Sequence, residues 1–183
     1  TEKTKAGLVC CWKQDEGLLY CGGDSKYIRA FDARAEMLAA TVHVPLEEGR
    51  EARSATSLCT HPSSPKLLFA GFSDGAVRLF DIRTSSSYGN VSTNGTRGSE
   101  RPRNKLASYI VNVSCHAASS FSTRELVVAA CIDGTVMFWD VRHSRGAVRT
   151  VRVQNSPMRA FAAHSCAPLL ASGSDNQFVK FMT

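Results

Sequence analysis

An all-β fold built from repeated four-stranded sheets is what this sequence predicts, and three observations predict it. Leu126–Arg142 (LVVAACIDGTVMFWDVR) repeats the pattern of Leu67–Arg83 (LLFAGFSDGAVRLFDIR), and fainter copies begin at Leu18 (LLYCGGDSKYIRAFDAR) and Pro168 (PLLASGSDNQFVKFMT). A unit recurring every forty to sixty residues is the mark of a repeat architecture. Within each copy a short apolar run, a turn and a second apolar run ending in an aromatic residue give the rhythm of strands, not of helices.

The first unit, about residues 7–44, opens with a strand in GLVCCWK (7–13). The hairpin of the Leu18 copy follows, turning at Asp24-Ser25-Lys26, and LAATVHV (38–44) is its outer strand. The second unit, 55–108, opens with ATSLCTH (55–61) and turns at Ser73-Asp74-Gly75. The third, 109–153, has YIVNVSCH (109–116), a turn at Ile132-Asp133-Gly134 and the outer strand AVRTVRV (147–153). The fourth, 158–183, has MRAFAAH (158–164) and a turn at Ser174-Asp175-Asn176. Asp and Gly suit such turns, because Gly accepts positive φ and Asp bonds its own backbone. The four copies align without a gap on Phe31, Phe80, Trp139 and Phe181. Residues 84–105 (TSSSYGNVSTNGTRGSERPRNK) offer almost nothing to bury and read as a low-complexity surface-loop insertion that replaces or delays the outer strand of the second unit.

Four strands per unit, with Trp-Asp or Phe-Asp closing the third, resemble the blade of the WD40 β-propeller family. That resemblance implies a ring of about seven blades, of which this chain carries about four. The fourth unit stops after its third strand, and residues 1–6 are too polar to supply the missing one, so a partial propeller completed by further blades is expected. The Gly-His pairs that many such blades use to fix the turn aspartate are absent. Asp74, Asp133 and Asp175 are therefore expected to bond nearby backbone amides.

Departures from the generic repeat narrow the resemblance. Gly7-Leu8-Val9, Trp12, Glu16-Gly17-Leu18-Leu19, Gly23-Asp24, Arg29, Asp32 and Glu36-Met37 in the first unit look like the C-terminal propeller of the Raptor family, scaffold subunits of TOR complex 1. So does Leu170-Ala171-Ser172-Gly173-Ser174 running into Asn176-Gln177-Phe178. The resemblance implies a cytoplasmic, non-catalytic scaffold in nutrient-responsive growth signalling. Its partners would be TOR kinase complex subunits and substrates.

Composition agrees with a folded protein: of 183 residues 43% are apolar and 21% charged. No apolar run is long enough to span a bilayer as a helix. The net charge of +6 sits largely in loops (Arg97, Arg101, Arg103, Lys105) without aromatic platforms, so it reads as a solvated basic surface and not as a nucleic-acid footprint. Seven cysteines without a C-x-x-C pair, most of them inside apolar runs, read as small hydrophobes in a reducing compartment.

No catalytic, metal or cofactor site is predicted. The sequence has no G-x-S-x-G, phosphate-binding glycine loop or H-E-x-x-H, and Glu47-Glu48 lack a partner acid or base. His61, His116 and His164 end the first strand of their units. Zinc needs four ligands converging at about 2–2.3 Å, and equivalent positions on separate blades are expected to diverge. One alternative binding reading remains. Asp133, Trp139, Asp140 and Arg142 have the spacing of a D-x(5)-W-D-x-R box that resembles substrate receptors of cullin–RING ubiquitin ligases, and Asp74, Phe80, Asp81 and Arg83 repeat it. An Arg at a blade edge can fork onto an acidic adaptor.

Overall fold

The computed structural model describes residues 7–44, 54–62, 64, 66–82, 86–91 (backbone only), 109–116, 125–141, 147–164 and 167–183. All regular elements among them are strands, arranged as four antiparallel meanders. The first sheet is β1 (Leu8–Lys13), β2 (Leu18–Gly23), β3 (Tyr27–Asp32) and β4 (Met37–His43). The second is β5 (Ala55–Thr60), β6 (Leu67–Phe72), β7 (Val77–Asp81) and β8 (Ser86–Val91). The third is β9 (Ile110–His116), β10 (Leu126–Cys131), β11 (Thr135–Asp140) and β12 (Arg149–Arg152), and the fourth is β13 (Met158–Ala163), β14 (Leu170–Ser174) and β15 (Val179–Met182).

Successive sheets stack face to face. β1 and β2 pack on β5, β5 and β6 on β9, and β9 and β10 on β13, while the outer strands β4 and β8 make a smaller contact. The sheets therefore fan about an axis lined by their first strands, which is the β-propeller arrangement. Central strands such as β6 (LLFAGF) and β10 (LVVAAC) are apolar on both faces because both faces are covered. Leu68, Ala70, Phe72 and Phe80 fill the first seam with Tyr20, Ile28 and Val42. Phe69 and Val77 fill the second with Ile110, Val113, Val127 and Trp139, and Val128, Ala130 and Val136 meet Met158 and Phe161 in the third. Each large side chain so covered contributes roughly 1.5–3 kcal/mol. The second seam is tight because β6 carries no side chain at Gly71. A Cβ there would lie 2.5 Å from Ile110 Cγ2 and 2.8 Å from Val113 Cγ2. Gly71, Ala130 and Gly173 hold one register position, opposite Val77, Val136 and Val179.

The end faces are the exception. On the first sheet Leu8 (76% exposed), Trp12 (51%), Tyr27 and Phe31 face away from the second sheet; on the fourth, Val179 and Phe181 (71%) face away from the third.

Two sequence expectations are corrected. Residues 86–91, read as the start of a surface loop, form β8, which pairs with β7 from Val77↔Val91 to Asp81↔Ser86. A polar sequence is sufficient at this edge, because the open backbone groups of β7 supply the ladder. The rest of the proposed insertion, 92–105, lies outside the described residues. The ungapped alignment of the fourth copy also fails by one residue. Gly173↔Val179 corresponds to Gly71↔Val77 and Ala130↔Val136, so Met182, and not Phe181, takes the place of Phe80 and Trp139.

Candidate functional site

The turns between the second and third strands share one device. Ser25 Oγ accepts a hydrogen bond from Tyr27 N (3.2 Å), Asp74 Oδ1 from Ala76 N (3.1 Å), Asp133 Oδ1 from Thr135 N (2.9 Å) and Asn176 Oδ1 from Phe178 N (3.2 Å). Local amide bonding, expected for three aspartates, thus holds for Asp74 and Asp133. In the fourth turn Asn176 does this work, and Asp175 instead takes both prongs of Arg159 at 2.7 and 2.8 Å. The glycine site of the second and third turns, Gly75 (φ 80°) and Gly134 (φ 88°), is held in the fourth by Gln177 (φ 65°).

The Asp133, Trp139, Asp140 and Arg142 box does not form one surface. Asp133 is exposed in the turn at one end of β11, whereas Asp140 is buried at the other end. At roughly 3.3 Å per residue that separation is about 20 Å. Trp139 is 1% exposed within the second seam. Arg142, like Arg83 of the second box, lies outside the described residues. Among the described residues of the box, Trp139 serves packing and Asp133 its own turn, and the ligase reading gains no support from them.

Polar groups tie the seams together. Lys13 Nζ donates to the His61 carbonyl (3.1 Å) across the first, and Val113 N to Ser57 Oγ (3.0 Å) across the second. In the third, the buried Gln154 amide donates to the Ser172 carbonyl (3.2 Å) and hydroxyl (3.0 Å). The strand-end histidines join this set. His61 is buried with Nε2 3.4 Å from Glu125 Oε2, a partner from the third unit that the sequence did not reveal. His116 and His164 sit close enough to interact electrostatically, so neighbouring strand ends converge more than expected. Among the described residues, no group of three or more His, Cys, Asp or Glu has the geometry to hold a metal ion.

Burial holds the His61 imidazole below its usual range, Lys13 adding to the effect and Glu125 opposing it; burial and then His164 lower His116. Both rings are therefore more readily protonated in the unfolded chain, whose histidines titrate near 6.5. Stability is full above that pH and lost as pH falls through it toward the folded values. The denaturant midpoint is expected to be lower at pH 5.5 than at 7.5, with His61→Gln flattening the difference. An unchanged midpoint would contradict this.

The interior thiols are equally quiet. Burial pushes Cys59 and Cys131 up to about 12 and likewise raises Cys115. These cysteines are protonated at neutral pH and act as small hydrophobes. Cys166 lies outside the described residues. Among the described residues, no helix is long and apolar enough to cross a membrane.

Stacked meanders with inert seams, two apolar end faces and tight turns between the second and third strands define a β-propeller repeat module. The chain belongs to the β-propeller family described as nucleolar protein 10-like, N-terminal domain, which it matches over residues 46–183. It is 35% identical over 178 residues to the Raptor homologue of Dictyostelium discoideum, covering 96% of this chain and 10% of that protein. It is 33% identical over 175 residues to the TOR complex 1 subunit mip1 of Schizosaccharomyces pombe, covering 96% of this chain and 12% of that one. The chain thus spans about a tenth of the length of these relatives. The crystal structure of Chaetomium thermophilum Raptor superposes with a TM-score of 0.77 at 22% identity, over 99% of this chain and 15% of that one, and supports the fold.

Proposed function

We propose that this chain is part of the C-terminal WD40 propeller of a Raptor-like subunit of TOR complex 1. In that role it is a non-catalytic, cytoplasmic scaffold that contacts TOR kinase complex subunits and substrates through its rims and loops. The observation carrying this reading is the identity of 33–35% over 96% of the chain to proteins named as Raptor and as a TOR complex 1 subunit. The bare faces of the first and fourth sheets fit the same reading, since further blades of the propeller would cover them. The nucleolar description of the family profile supplies the rival outcome.

The test is affinity capture of the native polypeptide that contains this sequence, from growing cells, followed by mass spectrometry. Recovery of TOR kinase in near-stoichiometric amount is expected. Recovery of ribosome-assembly particles without the kinase would overturn the assignment.

A further inference from the structure

Arg29, Arg78, Met137 and Lys180 hold one register position, opposite Cys21, Ala70, Ala129 and Ser172 on the second strand of their sheets. In every sheet after the first, that side chain reaches toward the preceding sheet. Arg78 is buried in the first seam, its guanidinium 4.6 Å from the centre of the Phe72 ring. Met137 is buried in the second seam. Lys180 Nζ crosses the third and donates to the carbonyl of Val153 (2.9 Å), the residue that follows β12.

Arg29 is the exposed member of the set. It stands between Tyr27 and Phe31 on β3, on the face turned away from the second sheet. Its guanidinium lies 6.0 Å from the centre of the Tyr27 ring, and Tyr27 meets His43 edge-on at 5.4 Å. We propose that Arg29 is the cation of a further seam, donating to a main-chain carbonyl at the end of the outer strand of another sheet of the same polypeptide, which covers this face. The inference rests on the reading of the chain as part of a longer propeller.

The occupant follows from continuity, since the corresponding face of the second, third and fourth sheets is covered by the sheet before it. The chain spans about a tenth of the length of its relatives, which leaves polypeptide to supply that sheet. The acceptor follows from chemistry. A guanidinium withdrawn from water requires a hydrogen-bond acceptor. Leu8, Trp12 and Phe31 on the same face call for an apolar covering surface, which leaves the main chain to provide it. The end of an outer strand does so for Lys180. The Tyr27 ring beneath Arg29 adds a cation–π contact, as Phe72 does for Arg78.

The test measures alkylation of Cys10 by iodoacetamide in the native polypeptide that contains this sequence. Cys10 reports on this face because it pairs with Cys21, which pairs with Arg29 on its other side. Fragment ions of tryptic peptide 6–13 separate it from Cys11. In the unaltered polypeptide Cys10 is expected to react at least roughly a hundredfold more slowly than in urea, because reaction there requires local opening. Arg29→Lys keeps a donor, as Lys180 does, and should leave that rate unchanged. Arg29→Met keeps the packing, as Met137 does, and should raise it about tenfold, the effect of losing one hydrogen bond from a charged donor. Buried Cys131 should stay unlabelled in both variants, which marks the opening as local.

Reaction of Cys10 in the unaltered polypeptide as fast as in urea would overturn the proposal, as would equal rates for Arg29→Lys and Arg29→Met. Labelling of Cys131 together with Cys10 in Arg29→Met would overturn a role confined to this face. Protection that vanishes on roughly tenfold dilution would overturn the assigned occupant, since a second copy would then be the cover. Slow reaction of Cys10 without TOR kinase in the affinity capture would keep the seam and lose the scaffold assignment. Fast reaction with the kinase present would do the reverse.

Discussion

Replacing Trp139 with alanine is expected to destabilise the protein by about 3–5 kcal/mol, the usual cost of removing a buried aromatic side chain. The indole is 1% exposed and lies among Phe69, Val77, Ile110, Val113, Val127 and Met137, so it belongs to the seam between the second and third sheets as much as to its own strand. Its Nε1 has no hydrogen-bond partner among the described residues, so the loss is one of packing and cavity formation. Trp139→Phe, the residue found at the equivalent Phe80, should therefore recover most of it. Against a total stability of about 5–15 kcal/mol, the alanine variant should show a large fall in urea midpoint. An unchanged midpoint would mean that this ring serves recognition at a surface, as the ligase reading requires.

That outcome follows from a feature the sequence displays plainly. A strand between two other sheets must be apolar at every position, and the runs in β6 and β10 announce this without knowledge of register. The sheets, their order and the turns of the first three units were legible for the same reason. What was not legible depends on contacts between units. The fourth copy was misplaced because Asp175 invites alignment with Asp74 and Asp133. The turn selects the residue whose side-chain oxygen reaches the amide two positions on, and that residue is Asn176, while Arg159 draws Asp175 aside. β8 was hidden because its stability comes from backbone pairing with β7. Glu125 near His61 follows from stacking alone. One signal was present and unread: Gly22 and Gly71, which carry no side chain, mark where the next inner strand, β5 and β9 respectively, comes close.

Replacing Gly134 with alanine is expected to cost about 2–5 kcal/mol, the sum of two separate penalties. Its φ of 88° is open to glycine and strains any L side chain, at roughly 1–2 kcal/mol. The added Cβ would also run into the Gln154 carbonyl oxygen, which is backbone and cannot swing aside, adding about 1–3 kcal/mol of overpacking. The damage spreads because Gly134 O accepts the amides of Val153 (2.8 Å) and Gln154 (3.2 Å), and the Gln154 side chain holds Ser172 across the third seam. The fourth turn provides the opposite case. Gln177 holds a φ of 65°, so Gln177→Gly relieves strain there and should gain up to about 1 kcal/mol after the entropy glycine adds to the unfolded chain. Chemical denaturation of the two variants should thus move midpoints in opposite directions. Equal midpoints for Gly134→Ala and the unaltered protein would show that neither the turn geometry nor the contact with Gln154 governs the third seam.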